Sequence, residues 1–271
     1  MFPQAVDFRD ESEALYQLMR PLDAAAFGTV TQFKQWTFDD ILGHLHLWNH
    51  AADLSLTDEN AFQVFIGEVF QYVASGSLRT FEKQWLSGLG GHELLEQWHA
   101  FTLEMSQRFG AADPQIRVQW AGPDMSVRSS ITARLMETWA HGLAIYDTLG
   151  VERVDTDRIR NIAVLGVNTF GWTFTNRRLN VPAEMPYLRL TAPSGAIWEW
   201  GEPGAKDRVE GSATAFCQVV TQTRNVADTD LEVAGAVAEH WMQIAQCFAG
   251  PPQQPPAPGS RFVQRPRGSQ R

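Results

Sequence analysis

The chain has 271 residues, 44% hydrophobic and 20% charged, which suits a soluble globular protein of one large domain or two modest ones. A net charge of −9 excludes broad contact with a nucleic-acid backbone, which needs clustered Lys and Arg. The N-terminal stretch is too charged for a signal peptide and no apolar run is long enough to span a bilayer, so the expected location is the cytoplasm, with no membrane association.

The first half reads as helices in succession. Leu15, Leu18, Met19 and Leu22 have helical spacing, and Pro21 should end that helix. Thr37 and Asp40 form a capping-box pattern ahead of a helix whose inner face is Phe38, Ile41, Leu42, Leu45, Trp48 and Ala52. A third helix should follow TDEN through Val73, a short one should cover LRTFEKQW, and another should carry Leu94, Leu95, Trp98, Phe101, Met105 and Phe109. Residues 111–126 read as a loop with a short strand at 116–120. A strong helix from SSIT to Leu149 follows, with Gly150 in position to close it. Four principal amphipathic helices with short connections predict a bundle.

The pattern changes after about residue 150. One helix is expected over DTDRIRNIAVLGVNTFGWTF, a hairpin over 186–201 around PSG, and helices over GSATAFCQVVTQ and LEVAGAVAEHWMQIAQCFAG, making this half α+β. Cys217 and Cys247 stand outside any CxxC spacing and read as buried thiols. Residues 251–271 are rich in Pro, Gln and Arg and contain no acid, the composition of a disordered tail. The expected domains are therefore 1–151, 152–250 and a tail 251–271.

Two constellations carry possible chemistry. GHLHLWNH places His44, His46 and His50 within seven residues. At about 100° per residue they do not converge: His44 lies at the edge of the apolar face, while His46 and His50 turn away and read as solvated surface. METWAHG places Glu137 and His141 at i and i+4 on a helix that is otherwise apolar nearly all round. The plain readings are a boundary histidine and an exposed Glu–His pair worth a few tenths of a kcal/mol. The combined reading is two histidines and a glutamate from two helices, three protein ligands that leave an open coordination position. Zinc suits such donors, and iron, manganese or nickel would also bind them.

WTFDDILGHLHLWNHAAD (36–53) and RLMETWAHGLAIYDTLG (134–150) resemble two signatures of the DinB-like metal-binding superfamily, in the branch typified by mycothiol-dependent maleylpyruvate isomerase. The second signature runs E-x-W-x-H-x-x-D-x-x-x-x-x-G and is met here by Glu137, Trp139, His141 and Gly150, with Ala144 in place of the aspartate. The segment VEGSATAFCQVVTQTRNVADTDL and the following WMQIAQCFAGPP resemble an uncharacterised metal-binding subgroup of that branch. The resemblance implies a mainly α protein: a DinB-like four-helix bundle followed by a smaller α+β domain similar to sterol carrier proteins. It implies a divalent metal, usually zinc, on His44, Glu137 and His141, and a low-molecular-weight thiol of the mycothiol kind as co-substrate. The implied activity is a thiol-linked isomerase or thiol transferase acting on a small anionic metabolite, with Arg224 holding anionic groups. Thr223 stands where subgroup relatives carry another arginine. The alternative is a protein that binds metal, small molecules or lipid without thiol chemistry.

Overall fold

The computed structural model describes residues 1–76 and 78–264. The chain divides into two units, Met1–Ile145 and Tyr146–Arg271.

The first unit is helical. In chain order it contains α1 (Pro3–Met19), α2 (Phe38–Thr57), α3 (Glu59–Ala74), α4 (Leu78–Leu86), α5 (Gly91–Ala111), the two-residue strands β1 (Arg117–Val118) and β2 (Met125–Ser126), and most of α6 (Val127–Leu149). The expected capping box is formed: Thr37 Oγ1 accepts from the Asp40 N–H at 3.1 Å and Asp40 Oδ2 from the Thr37 N–H at 3.0 Å. Asp58 caps α3 in the simpler way, accepting from the Ala61 N–H at 2.9 Å. α5 begins with glycines that cannot cap themselves, and Asp39 of α2 accepts from the Gly91 N–H at 2.8 Å instead.

Helix α2 lies between two cores. On one side Ala52 meets Phe8 of α1, Met105 and Phe109 of α5, and Ile131 and Leu135 of α6. On the other, Leu47 and Ala51 meet Phe62, Ile66 and Val69 of α3 and Phe81 of α4. Each fully buried Leu, Ile or Phe contributes about 1.5–3 kcal/mol of transfer free energy, so α2 is held from both flanks and its histidines have little freedom to rotate.

The second unit is α+β: α7 (Arg160–Asn168), α8 (Phe170–Asn176), β3 (Tyr187–Thr191), β4 (Ile197–Trp200), β5 (Arg208–Ser212), α9 (Ala213–Val220), β6 (Glu232–Ala234) and α10 (Ala236–Ile244). The sheet order is β4-β3-β5-β6, with β3 and β5 parallel and both outer pairs antiparallel. The hairpin expected around PSG is β3–β4. Two expectations are corrected. The single helix over 155–174 breaks at Thr169, whose hydroxyl donates to the Leu165 and Gly166 carbonyls and so competes with the helical ladder. The two C-terminal helices are each preceded by a strand, β5 and β6, that the helical periodicity hides.

Residues 251–264 are not a free tail. Their Pro-rich backbone presents carbonyls without matching N–H groups, and side chains of the second unit satisfy them. Arg177 Nη2 donates to the Gln253 carbonyl at 2.6 Å, Gln222 Nε2 to the same oxygen at 3.0 Å, and Asn225 Nδ2 to the Pro256 carbonyl at 2.8 Å. Arg261 Nη1 donates to the Gln222 carbonyl at 2.7 Å, and the Gln264 N–H to the Asp147 carbonyl at 2.7 Å. The expectation of disorder is thus corrected for 251–264, and 265–271 lie outside the described residues. Both cysteines are buried, as expected. Among the described residues no helix is long and apolar enough to cross a membrane.

Candidate metal centre

Two elements of the first unit build the site. α2 contributes His44, and α6 contributes Glu137 and His141 one turn apart. Each of the three offers a ligand atom, and these atoms all lie within 4.8 Å of one another. His141 Nε2 lies 3.1 Å from Glu137 Oε2, and the two imidazole centroids are 4.8 Å apart. Burial opposes ionisation of Glu137, but the hydrogen bond and charge of His141, with Arg134 and His44 nearby, hold its carboxyl down at about 2. Burial also keeps the His141 imidazole below its ordinary value, against the pull of Glu137. An ionised carboxylate beside a neutral imidazole is the state in which both can donate to a metal.

Behind His44 stands a second carboxylate. Glu82 of α4 is 1% exposed, and its Oε1 lies 2.7 Å from His44 Nδ1. Its other oxygen accepts from Arg79 Nη1 at 2.5 Å, and Arg79 also pairs with Asp40. Glu82 engages Nδ1 and leaves Nε2 as the nitrogen of His44 available to a ligand, which is how a buried carboxylate sets the tautomer of a metal-binding histidine. His141 Nδ1 is buried with no hydrogen-bond partner among the described residues. Two imidazoles and a carboxylate converge here, one ring is oriented from behind, and the other keeps an unpaired buried nitrogen. This donor set fits a divalent metal.

An aromatic turn covers the histidines. Phe33 and Trp36 flank Lys34 and Gln35, which both have positive φ (50° and 58°), and the Trp36 N–H donates to the Phe33 carbonyl at 2.9 Å. Trp36 stacks on His141 with centroids 5.7 Å apart, and Phe33 meets the same ring edge-on at 4.9 Å. Arg79 lies over the other ring system of this wall, 4.5 Å from Trp36.

The model of the mycothiol maleylpyruvate isomerase N-terminal domain matches residues 8–146. The chain belongs to that family. Two relatives, uncharacterized proteins of two Mycobacterium tuberculosis strains, are each 38% identical to this isomerase-family chain over 252 residues, 92% of it and 96% of their own length. The crystal structure of the mycothiol-dependent maleylpyruvate isomerase is similar at a TM-score of 0.52 and 15% identity, over 80% of this chain and 88% of that one. A mutant of the same enzyme gives a TM-score of 0.50 at 16% identity. At such identities the likeness is one of fold, and it agrees with the expected class: mainly α with a smaller α+β part.

The other residues singled out in the sequence of this isomerase-family chain fall elsewhere. His46 and His50 stay out of the cluster, but they are not a solvated face. His46 packs between Trp85 at 5.3 Å and Phe101 at 5.5 Å, and His50 against Phe65 at 5.2 Å and Trp85 at 5.4 Å. α4 and α5 cover that flank of α2, which a single-helix projection cannot foresee. Burial pushes His46 down to about 4, with His50 adding to the effect. Arg224, in the second unit, is 8% exposed and donates from Nη2 to Asp147 Oδ1 at 2.6 Å and from Nη1 to its own Thr223 carbonyl at 3.1 Å. Sequence reasoning missed Glu82, Arg79 and Phe33. The only local signal for Glu82 was a carboxylate on a short helix flanked by aromatics.

Proposed function

We propose that the chain is a metal-dependent enzyme of the thiol-linked isomerase or thiol-transferase kind, acting on a small anionic metabolite with a mycothiol-like thiol as co-substrate. The observation that carries this reading is the convergence of His44, Glu137 and His141 within 4.8 Å, with Glu82 orienting His44 from behind. Family membership and the fold shared with mycothiol-dependent maleylpyruvate isomerase support the thiol part.

In this reading His44, Glu137 and His141 hold a divalent metal, zinc by preference for nitrogen and carboxylate donors. When bound, the metal lowers the pKa of a thiol or polarises a substrate carbonyl. The chain's own residues do the rest. Glu82 keeps the His44 proton on Nδ1. Trp36 and Phe33 exclude water from one side of the His141 ring, which strengthens every charge interaction beside it. Arg224 remains the second unit's anion-holding group, with Asp147 fixing its guanidinium and Nε outside both of its bonds.

The test is metal content, then thiol binding. Purified wild-type protein and its His46→Ala and His50→Ala variants should each hold about one equivalent of metal, and His44→Ala, Glu137→Ala and His141→Ala should hold none. Equal metal in wild type and a His44→Ala/His141→Ala double variant would remove the site. Metal-loaded protein should then bind one of mycothiol, bacillithiol or glutathione by calorimetry; binding to none of them would remove the thiol chemistry and leave the metal site standing.

A further inference from the structure

The polar stripe of α6 does not stop at the ligands. Ser130, Arg134, Glu137 and His141 follow one another at steps of four, three and four, so all four share one helix face. Glu137 and His141 belong to the centre described above. Arg134 and Ser130 do not, and both are buried, at 4% and 2% exposure. Arg134 Nε and Nη1 have no hydrogen-bond partner among the described residues, and neither has Ser130 Oγ. Arg134 Nη2 lies 3.9 Å from Glu137 Oε1, beyond hydrogen-bonding reach. The Trp120 indole covers the guanidinium at 5.5 Å, and Trp120 itself packs against Trp48 at 5.7 Å.

A buried guanidinium with two nitrogens unbonded and its carboxylate neighbour 3.9 Å away is costly, and native proteins rarely leave one so. Arg224 shows the ordinary solution, a carboxylate at 2.6 Å. For Arg134 the nearby carboxylate, Glu137, stands off at 3.9 Å, which leaves Nε and Nη1 for a ligand to engage. Arg134 Nη2 is 3.9 Å from Glu137 Oε1, so an acid bound at the guanidinium has its other end within short reach of the candidate ligands.

We infer that Arg134, with the Ser130 hydroxyl as a second donor, is the anion subsite of the centre and takes a carboxylate of a short-chain acid. The inference rests on the metal reading in one respect: Glu137 alone would repel the incoming anion, and a divalent cation on that carboxylate removes the repulsion. No bond is made or broken at Arg134; it is a binding residue whose part is to fix one end of the acid while the other end reaches the ligands.

The experiment is a calorimetric titration of metal-loaded protein with maleate and with its uncharged diamide, with metal content and thermal unfolding recorded on the same samples. Wild-type protein should bind maleate and not the diamide. Arg134→Gln should keep its metal and bind maleate at least about tenfold more weakly, the loss of a charge-assisted pair. Arg134→Lys should fall between the two, and Ser130→Ala should lose severalfold. Maleate binding unchanged in Arg134→Gln with full metal content overturns the inference, as does wild-type protein that binds the diamide equally well or binds maleate not at all. If Arg134→Gln does not fold, Arg134→Lys and Ser130→Ala decide, and unchanged binding in both overturns it. If wild-type protein takes up no metal, the metal reading fails and this inference falls with it, whereas full metal content with unchanged maleate binding in Arg134→Gln overturns the inference alone.

Discussion

Glu82 sets the direction in which His44 can donate. Its two oxygens are divided between His44 Nδ1 and Arg79, so removing its charge frees the ring and leaves the half-buried Arg79 with Asp40 as its carboxylate partner. Glu82→Gln should lower metal affinity by about 10–100-fold while the fold persists; competition with a chromophoric chelator measures it, and unchanged affinity would deny Glu82 an orienting role. His46 carries a different consequence. Its folded-state value of about 4 lies below the 6.5 of a free imidazole, so between those values the unfolded chain binds the extra proton. The stability it contributes is therefore full above pH 6.5 and is lost as pH falls to about 4, amounting to at most about 3 kcal/mol. Denaturant unfolding at pH 7, 5.5 and 4 should show this acid loss, and His46→Phe should reduce it; the same slope in both proteins would place the effect elsewhere. At this scale His44, Glu137 and His141 were legible, because helical spacing alone puts each on a definable face. Glu82 was not, because its role exists only once α4 packs on α2.

The turn from Phe33 to Trp36 brings two aromatic rings onto the histidines at a cost in backbone strain. Lys34 and Gln35 occupy the left-handed region, where a non-glycine residue loses roughly 1 kcal/mol or more. Gln35 is exposed, so Gln35→Gly should raise stability by about 1 kcal/mol without changing metal content. Chemical denaturation reads this directly, and a stability loss would mean that the side chain itself holds the turn. Elements with one clear period were legible: the capping box of α2, the span of α6 up to Leu149, and the β3–β4 hairpin. β5 and β6 were not, since five and three residues leading straight into helices carry too little alternation to stand out. Thr169 hid the break between α7 and α8 for a related reason: its hydroxyl bonds locally, and apolar spacing cannot register that.

Across the whole chain, composition separated the helical half from the α+β half but misjudged the Pro-rich stretch. Low hydrophobicity and no acids read as disorder, yet the stretch is held by polar side chains of the second unit. Deleting residues 251–271 should therefore remove hydrogen bonds from Arg177, Gln222 and Asn225 and destabilise the second unit by a few kcal/mol, at about 0.5–1.5 kcal/mol per lost hydrogen bond. Faster labelling of Cys217 and Cys247 by a thiol reagent should accompany the loss. An unchanged labelling rate would mean that the strap only lies on a unit already complete. The family match over 8–146 covers His44, Glu137 and His141, and the relatives at 38% identity extend the likeness over both units.

The strap also imposes an order in time. Residues 251–264 leave the ribosome after every residue they pin, from Asp147 to Asn225 and Gln246. The helical unit has all of its own chain by then. The α+β unit lacks these bonds until residues 251–264 arrive, so a pause in translation just before residue 251 should expose that unit, rather than the helical one, to proteases and chaperones.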